Sequence, residues 1–151
     1  MREHADHHDA ELLLRLYDLR REAKLRQARE WFMREFHPKS FEEFLKLCPP
    51  GTEQNTFMRM NVTYWEMAAS IVNHGLIQED LFFENTGEFW IVWDKVRNLV
   101  RAFREQNKNP ATWKNLETLA EKYEKWMAKR APEALEALRK RLAGSAPQKP
   151  E

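Results

Sequence analysis

The chain predicts an all-α fold, an up-and-down helical bundle of four main helices with two or three short accessory helices. Three observations carry this. Apolar residues recur at three- and four-residue spacing along four long segments. Proline and glycine punctuate the joints between them. The one run rich in β-branched and aromatic residues, "FWIVW", sits inside a longer pattern of helical period, which leaves no candidate strand. Composition agrees: the 151 residues are 42% hydrophobic and 32% charged with only 4 Gly, which suits one folded helical domain and not a disordered chain. Six Trp and nine Phe supply much of the core, since large aromatic side chains bury the most apolar surface.

Residues 1–8 are expected to be a flexible N-terminus, residues 9–143 a single helical domain and residues 144–151 a disordered tail. The first helix runs from Asp9 to Phe36, with Leu12, Leu16, Leu19, Ala23, Ala28, Trp31, Phe32 and Phe36 at helical spacing. Its middle, "LRREAKLRQAR", is mostly polar and is expected to bridge two packed ends in solvent. His37-Pro38 ends it, because the residue before proline disfavours the α region. Ser40 then caps a short helix, with Glu43 at capping-box spacing, and "CPPGTEQ" closes that helix.

A second long helix starts near Thr56, with Phe57, Met60, Tyr64, Met67, Ala68 and Ile71 on one face and Gly75 as a left-handed C-cap. A short turn covers Gln78 to Phe83. After "ENTG" a third long helix carries Phe89, Val92, Trp93, Val96, Leu99, Val100 and Phe103. Asn109 as N-cap and Pro110 at the first helical position open a fourth, with Trp113, Leu116, Ala120, Tyr123 and Met127 inside, ending by Ala131. Pro132 opens a last amphipathic helix with Leu135, Leu138 and Leu142.

Net charge is +1, but its distribution is uneven: residues 51–94 carry one basic and seven acidic side chains, and residues 95–151 carry fourteen and seven. An acidic element beside a basic one in the same fold, or in a second copy, is the ordinary explanation. Cys48 is the only cysteine, so no internal disulfide and no multi-cysteine zinc site can form within one chain. With no secretory h-region and no long uninterrupted apolar stretch, the expectation is a cytoplasmic protein without a membrane span.

No motif specifies a reaction. "HADHHD" places His4, His7 and His8 at helical spacing, but at a chain end without an ordering partner, so no metal is assigned. The di-iron motif of helical bundles needs Glu three residues before His. Here Met1, His4, Ala5, Arg34 and Ile71 hold those positions. Cys48 precedes two prolines and reads as a structural thiol. There is no phosphate-binding Gly-rich loop, no Gly-x-Ser-x-Gly and no His-Glu-x-x-His. No catalytic residue and no cofactor is therefore assigned, and the chain is not expected to be an enzyme.

Two clusters remain as candidates. Arg97, Arg101, Arg104 and Lys108 fall at i, i+4, i+7 and i+11 of one helix and could meet phosphates, although Asp94 and Glu105 stand at ion-pairing distance along that helix. Tyr64, Trp65 and Glu66 could approach Glu88, Trp90 and Trp93, forming an aromatic-acidic corner for a planar or cationic ligand or a dimer contact. Trp65, Trp90, Ile91, Leu119 and Trp126 lie off the central stripes of their helices and are expected to form a second buried face between two copies.

The stretch "NHGLIQEDLFFENTGEFWIVWDKV", with the long helix after it and "NLETLAEKYEKW", resembles a bacterial all-helical family known as a domain of unknown function, DUF4760. The resemblance rests on His74 to Ile77, Glu79 and Asp80, Gly87, and Trp93-Asp94-Lys95, and covers about the central and C-terminal two thirds. It implies an all-α fold and carries over no catalytic residues. Members often begin with a membrane helix; none is expected in this sequence.

The first expectation is thus a non-enzymatic, cytoplasmic protein-interaction module, most simply a homodimer, with another protein as the alternative partner. The second, weighed below it, is a nucleic-acid or phosphate-binding accessory protein using the arginine stripe. The third is a small-ligand binder at the aromatic-acidic corner.

Overall fold

The computed structural model describes residues 3–144, and every regular element among them is helical. In chain order these are α1 (His7–Arg20), α2 (Ala23–Glu35), α3 (Phe41–Leu47), α4 (Glu53–Asn73), α5 (Glu79–Asn85), α6 (Glu88–Val96), α7 (Val100–Asn107), α8 (Lys114–Arg130) and α9 (Ala134–Gly144). The hub is α4. It packs against α2, α8, α6 and α5, while α6 also packs on α8 and α9 leans on α8. No helix among the described residues is long and apolar enough to cross a membrane.

The expected first helix is two. The chain breaks at Arg21 and Glu22, where the Glu22 carboxylate accepts the backbone N–H groups of Lys24 and Leu25 and caps α2. Those two bonds hold its carboxyl below the usual carboxylate range. Nor are residues 1–8 wholly outside the fold. His7 and His8 belong to α1, which Asp6 and Asp9 start with a reciprocal capping box. Asp9 is fully buried and also accepts the Gln78 backbone N–H at 2.6 Å, tying α1 to the entry of α5.

The expected third long helix also breaks, between α6 and α7. Its hinge residue Asn98 donates its side-chain amide to the carbonyls of Pro38 and Lys39, so the chain turns where it docks on the α2–α3 loop. The start of α8 differs too. Asn109 caps a separate turn through Ala111, Trp113 adopts φ +56° with its ring 4.6 Å from Phe103, and the helix begins only at Lys114. Smaller differences follow the same logic: Thr52 caps α4 ahead of the expected start, α5 extends to Asn85, and α9 starts at Ala134 and includes Gly144. The rest of the expected tail, residues 145–151, lies outside the described residues.

Other local signals hold in detail. Gly75 sits at φ +76°, with its N–H on the Val72 carbonyl and the Leu76 N–H on Ile71, the doubly closed helix end that a residue without Cβ allows. Ser40 Oγ accepts the Glu43 N–H, but the Glu43 carboxylate returns to the Lys39 N–H, one residue short of a reciprocal box.

The largest correction concerns which faces are inside. On α4, Met58, Val62, Trp65, Ala69 and Val72 are buried alongside the expected Phe57 and Ala68, whereas Met67 is exposed. A helix surrounded by four others buries most of its circumference, so a single-stripe reading must miss part of it.

Candidate functional site

The aromatic-acidic corner does not exist as one site. Trp90 is 1% exposed, and its indole N–H donates to Glu124 on α8 at 2.9 Å. Arg139 of α9 lies over the ring at 5.3 Å and forks onto both Asp94 oxygens at 2.9 and 3.0 Å. Trp90 is therefore covered by its own chain. Glu124 also accepts from Arg97; burial alone would raise its carboxyl, and the bonds from Arg97 and Trp90 more than reverse this.

Glu66 serves a different purpose. Its two carboxylate oxygens accept the backbone N–H groups of Asn115 at 3.1 Å and Leu116 at 2.7 Å, capping α8 from another helix in place of Trp113, which has no side-chain cap to offer. Glu88 accepts from Arg20 at 3.0 Å and Arg29 at 2.6 Å. Glu84 is exposed. Trp65 and Trp93 are buried; Trp65 touches Tyr64 and Phe89, and Arg97 lies 6.0 Å from the Trp93 ring. The expected dimer face fails with the corner: Trp65, Trp90 and Leu119 are interior, Ile91 is half-buried, and half-buried Trp126 packs on Phe83 and donates to Asp80.

The arginine stripe is also dispersed. The hinge at Asn98 separates Arg97 from the others. Arg97 pairs with Asp94 and Glu124, and Arg104 donates to the Thr112 carbonyl and faces Glu117. Arg101 is 92% exposed beside Glu105, and Lys108 is the left-handed cap of α7. Two of the four cations are thus committed to internal partners.

Among the described residues, no three His, Cys, Asp or Glu side chains gather where a metal could sit. Cys48 is buried, and burial pushes its thiol up to about 11, the opposite of what a nucleophile needs. Lys95 is a more unusual group. Its ammonium donates to the Phe36 carbonyl at 3.0 Å and lies 3.2 Å from His37 Nδ1, and burial pulls it down to about 8 against the favourable charge of Asp94. His37 is lowered in turn, by burial and by the Lys95 charge.

One open region lies at the α1–α2 edge. A groove of about 310 Å³ runs beside α1, lined chiefly by Leu13, Leu14, Tyr17, Tyr64, Trp65 and Phe82. Tyr64 fixes its floor by donating its hydroxyl to the Leu16 carbonyl, and burial pushes that phenol up to about 12. The groove meets a second hollow of about 570 Å³ at Tyr17 and Arg20, around which Arg20, Arg21, Arg26 and Arg29 collect. Glu88 serves both Arg20 and Arg29, and Glu30 on the hollow's margin pairs with Arg34, so the four arginines outnumber the carboxylates and the hollow stays positive. Leu14 is 64% and Tyr17 55% exposed on its rim.

Sequence spacing pointed elsewhere, yet a signal for this edge was present. "ELLLRLYDL" places leucines around more than one face of a helix that can bury only one, and "LRREAKLRQAR" looked like a solvated bridge although its arginines crowd one bend.

The chain belongs to the family described as Domain of unknown function (DUF4760), which matches residues 5–126. The match extends farther toward the N-terminus than the resemblance in the sequence suggested and takes in α1 and α2. No curated protein and no solved structure matches the chain.

Proposed function

We propose that this protein is a non-enzymatic interaction module that self-associates in the cytoplasm. The observation behind this reading is α1: Leu16 is buried and Leu12 and Leu13 are packed against the core, while Leu14 and Tyr17 stand exposed side by side along the groove. No other helix makes so little close backbone packing with its neighbours while carrying so many leucines. An apolar row of this kind, rimmed by charge, is the usual composition of a protein–protein contact. A catalytic reading has less to stand on: Cys48 is shifted toward inertness, and the lowered Lys95 ammonium is committed to the Phe36 carbonyl beside His37. The phosphate-binding reading loses Arg97 and Arg104 to Asp94, Glu124 and Glu117.

Sedimentation velocity over roughly a hundredfold range of concentration tests self-association, since a weak dimer follows mass action. The expected result is a sedimentation coefficient that rises with concentration. A constant monomer value across the range overturns the reading.

A further inference from the structure

We infer that the occupant of the α1 edge is the α1 edge of a second copy, laid antiparallel across a two-fold axis near Leu14; this rests on the self-association reading above. Ala10, Leu14, Tyr17 and Arg21 fall at i, i+4, i+7 and i+11, one exposed line along the helix. The 14 residues of α1 span about 21 Å, enough for such a line to meet a copy of itself over its full length.

Size and charge both select the antiparallel arrangement. With Leu14 opposite Leu14, an antiparallel partner sets its Ala10 against Tyr17, a small residue facing a large one. A parallel partner would set Tyr17 on Tyr17 and Arg21 on Arg21, bringing like charges together.

Charge runs along the edge in the same sense. Its N-terminal end carries the exposed carboxylates of Glu3 and of Asp6, the latter also capping α1, and its C-terminal end carries Arg20, Arg21, Arg26 and Arg29. Arg26 has no ion pair among the described residues, and Arg21 lies over its own Tyr17 ring at 5.9 Å. Turning one copy end for end brings the acidic turn of each over the arginine hollow of the other, as an isologous contact requires. The outer flank, with Glu11, Arg15 and Asp18, is mixed in sign and stays at the solvent margin. Each copy's Leu14 then has the groove floored by Tyr64, Trp65 and Phe82 to enter.

Cysteine cross-linking of the full chain tests this, because the only native thiol, Cys48, is buried and silent. Side chains that face each other across a two-fold axis meet disulfide geometry, and association raises their effective concentration. Under mild oxidation Leu14→Cys should form covalent dimer at least about tenfold faster than Leu76→Cys, an exposed control off the α1 line, on the α4–α5 loop. A mixture of Ala10→Cys and Tyr17→Cys should give the heterodimer in preference to either homodimer. Equal rates for Leu14→Cys and Leu76→Cys, in a wild type that does dimerise, overturn the α1 pairing and leave self-association standing. Tyr17→Cys homodimers forming faster than the mixed species overturn the antiparallel orientation. A wild type monomeric at every concentration overturns both.

Discussion

α4 and α1 draw on the same residue types and use them in opposite ways. On α4, Trp65 is 2% exposed among Tyr64, Phe89 and the Arg20 guanidinium, and the neighbouring Glu66 closes the first turn of α8. On α1, Tyr17 is 55% exposed, Leu14 more so, and the arginines beyond them outnumber their carboxylates. Burial on α4 follows from position, since it has neighbours on most sides, whereas α1 has the core on one side only. Unmatched apolar and charged groups therefore collect where a helix lacks neighbours, and that is where a partner can be accommodated.

The contrast should break first in the interior. Trp90→Ala removes a fully buried indole and the N–H it gives to Glu124, leaving that carboxylate only Arg97; a loss of about 3–5 kcal/mol is expected, read as a lower urea midpoint. Glu66→Ala comes next. It leaves the first N–H groups of α8 without their acceptor, at about 1–3 kcal/mol in the same measurement. A smaller effect belongs to Lys95. Its folded value of about 8 lies below the ordinary 10.5, so between those values the unfolded chain binds the proton that the folded chain has released. Stability contributed by this group must therefore rise with pH across that window. Cys48 and Tyr64, both raised by burial, act the other way at high pH, but they are common to wild type and Lys95→Met. The difference in melting temperature between these two proteins from pH 7 to pH 10 should thus move in favour of wild type as pH rises. A constant difference would show that Lys95 is not depressed.

Leu14→Glu should have the smallest effect on the fold. At an exposed edge position it should change stability by no more than about 0.5 kcal/mol, while abolishing the concentration dependence of sedimentation. If Leu14→Glu destabilised the monomer as Trp90→Ala does, the edge would be core and the contrast between the two helices would fail.

The sequence showed some of this plainly and some of it not at all. Gly75, Ser40 and the capping spacing are local chemistry, readable wherever they occur. The breaks at Glu22 and Asn98 are not, because the flanking residues favour helix and the turns depend on a carboxylate folding back and on an amide reaching the α2–α3 loop. Trp90 and Trp65 looked peripheral because a period of 3.6 reports one face, and it cannot say that a second helix covers the other. At the candidate site the leucines and arginines were visible, but the groove between them was not, since its floor comes from α4 and α5.

By itself the sequence determined the helical class and the helix ends set by local capping at Ser40 and Gly75, because these depend on neighbours within a few residues. Only the tertiary structure decided which charges are neutralised and which apolar faces stay open. Those outcomes depend on contacts such as Glu66 to Leu116, Glu124 to Trp90 and Glu88 to Arg20, whose partners lie far apart in the chain and meet only through packing.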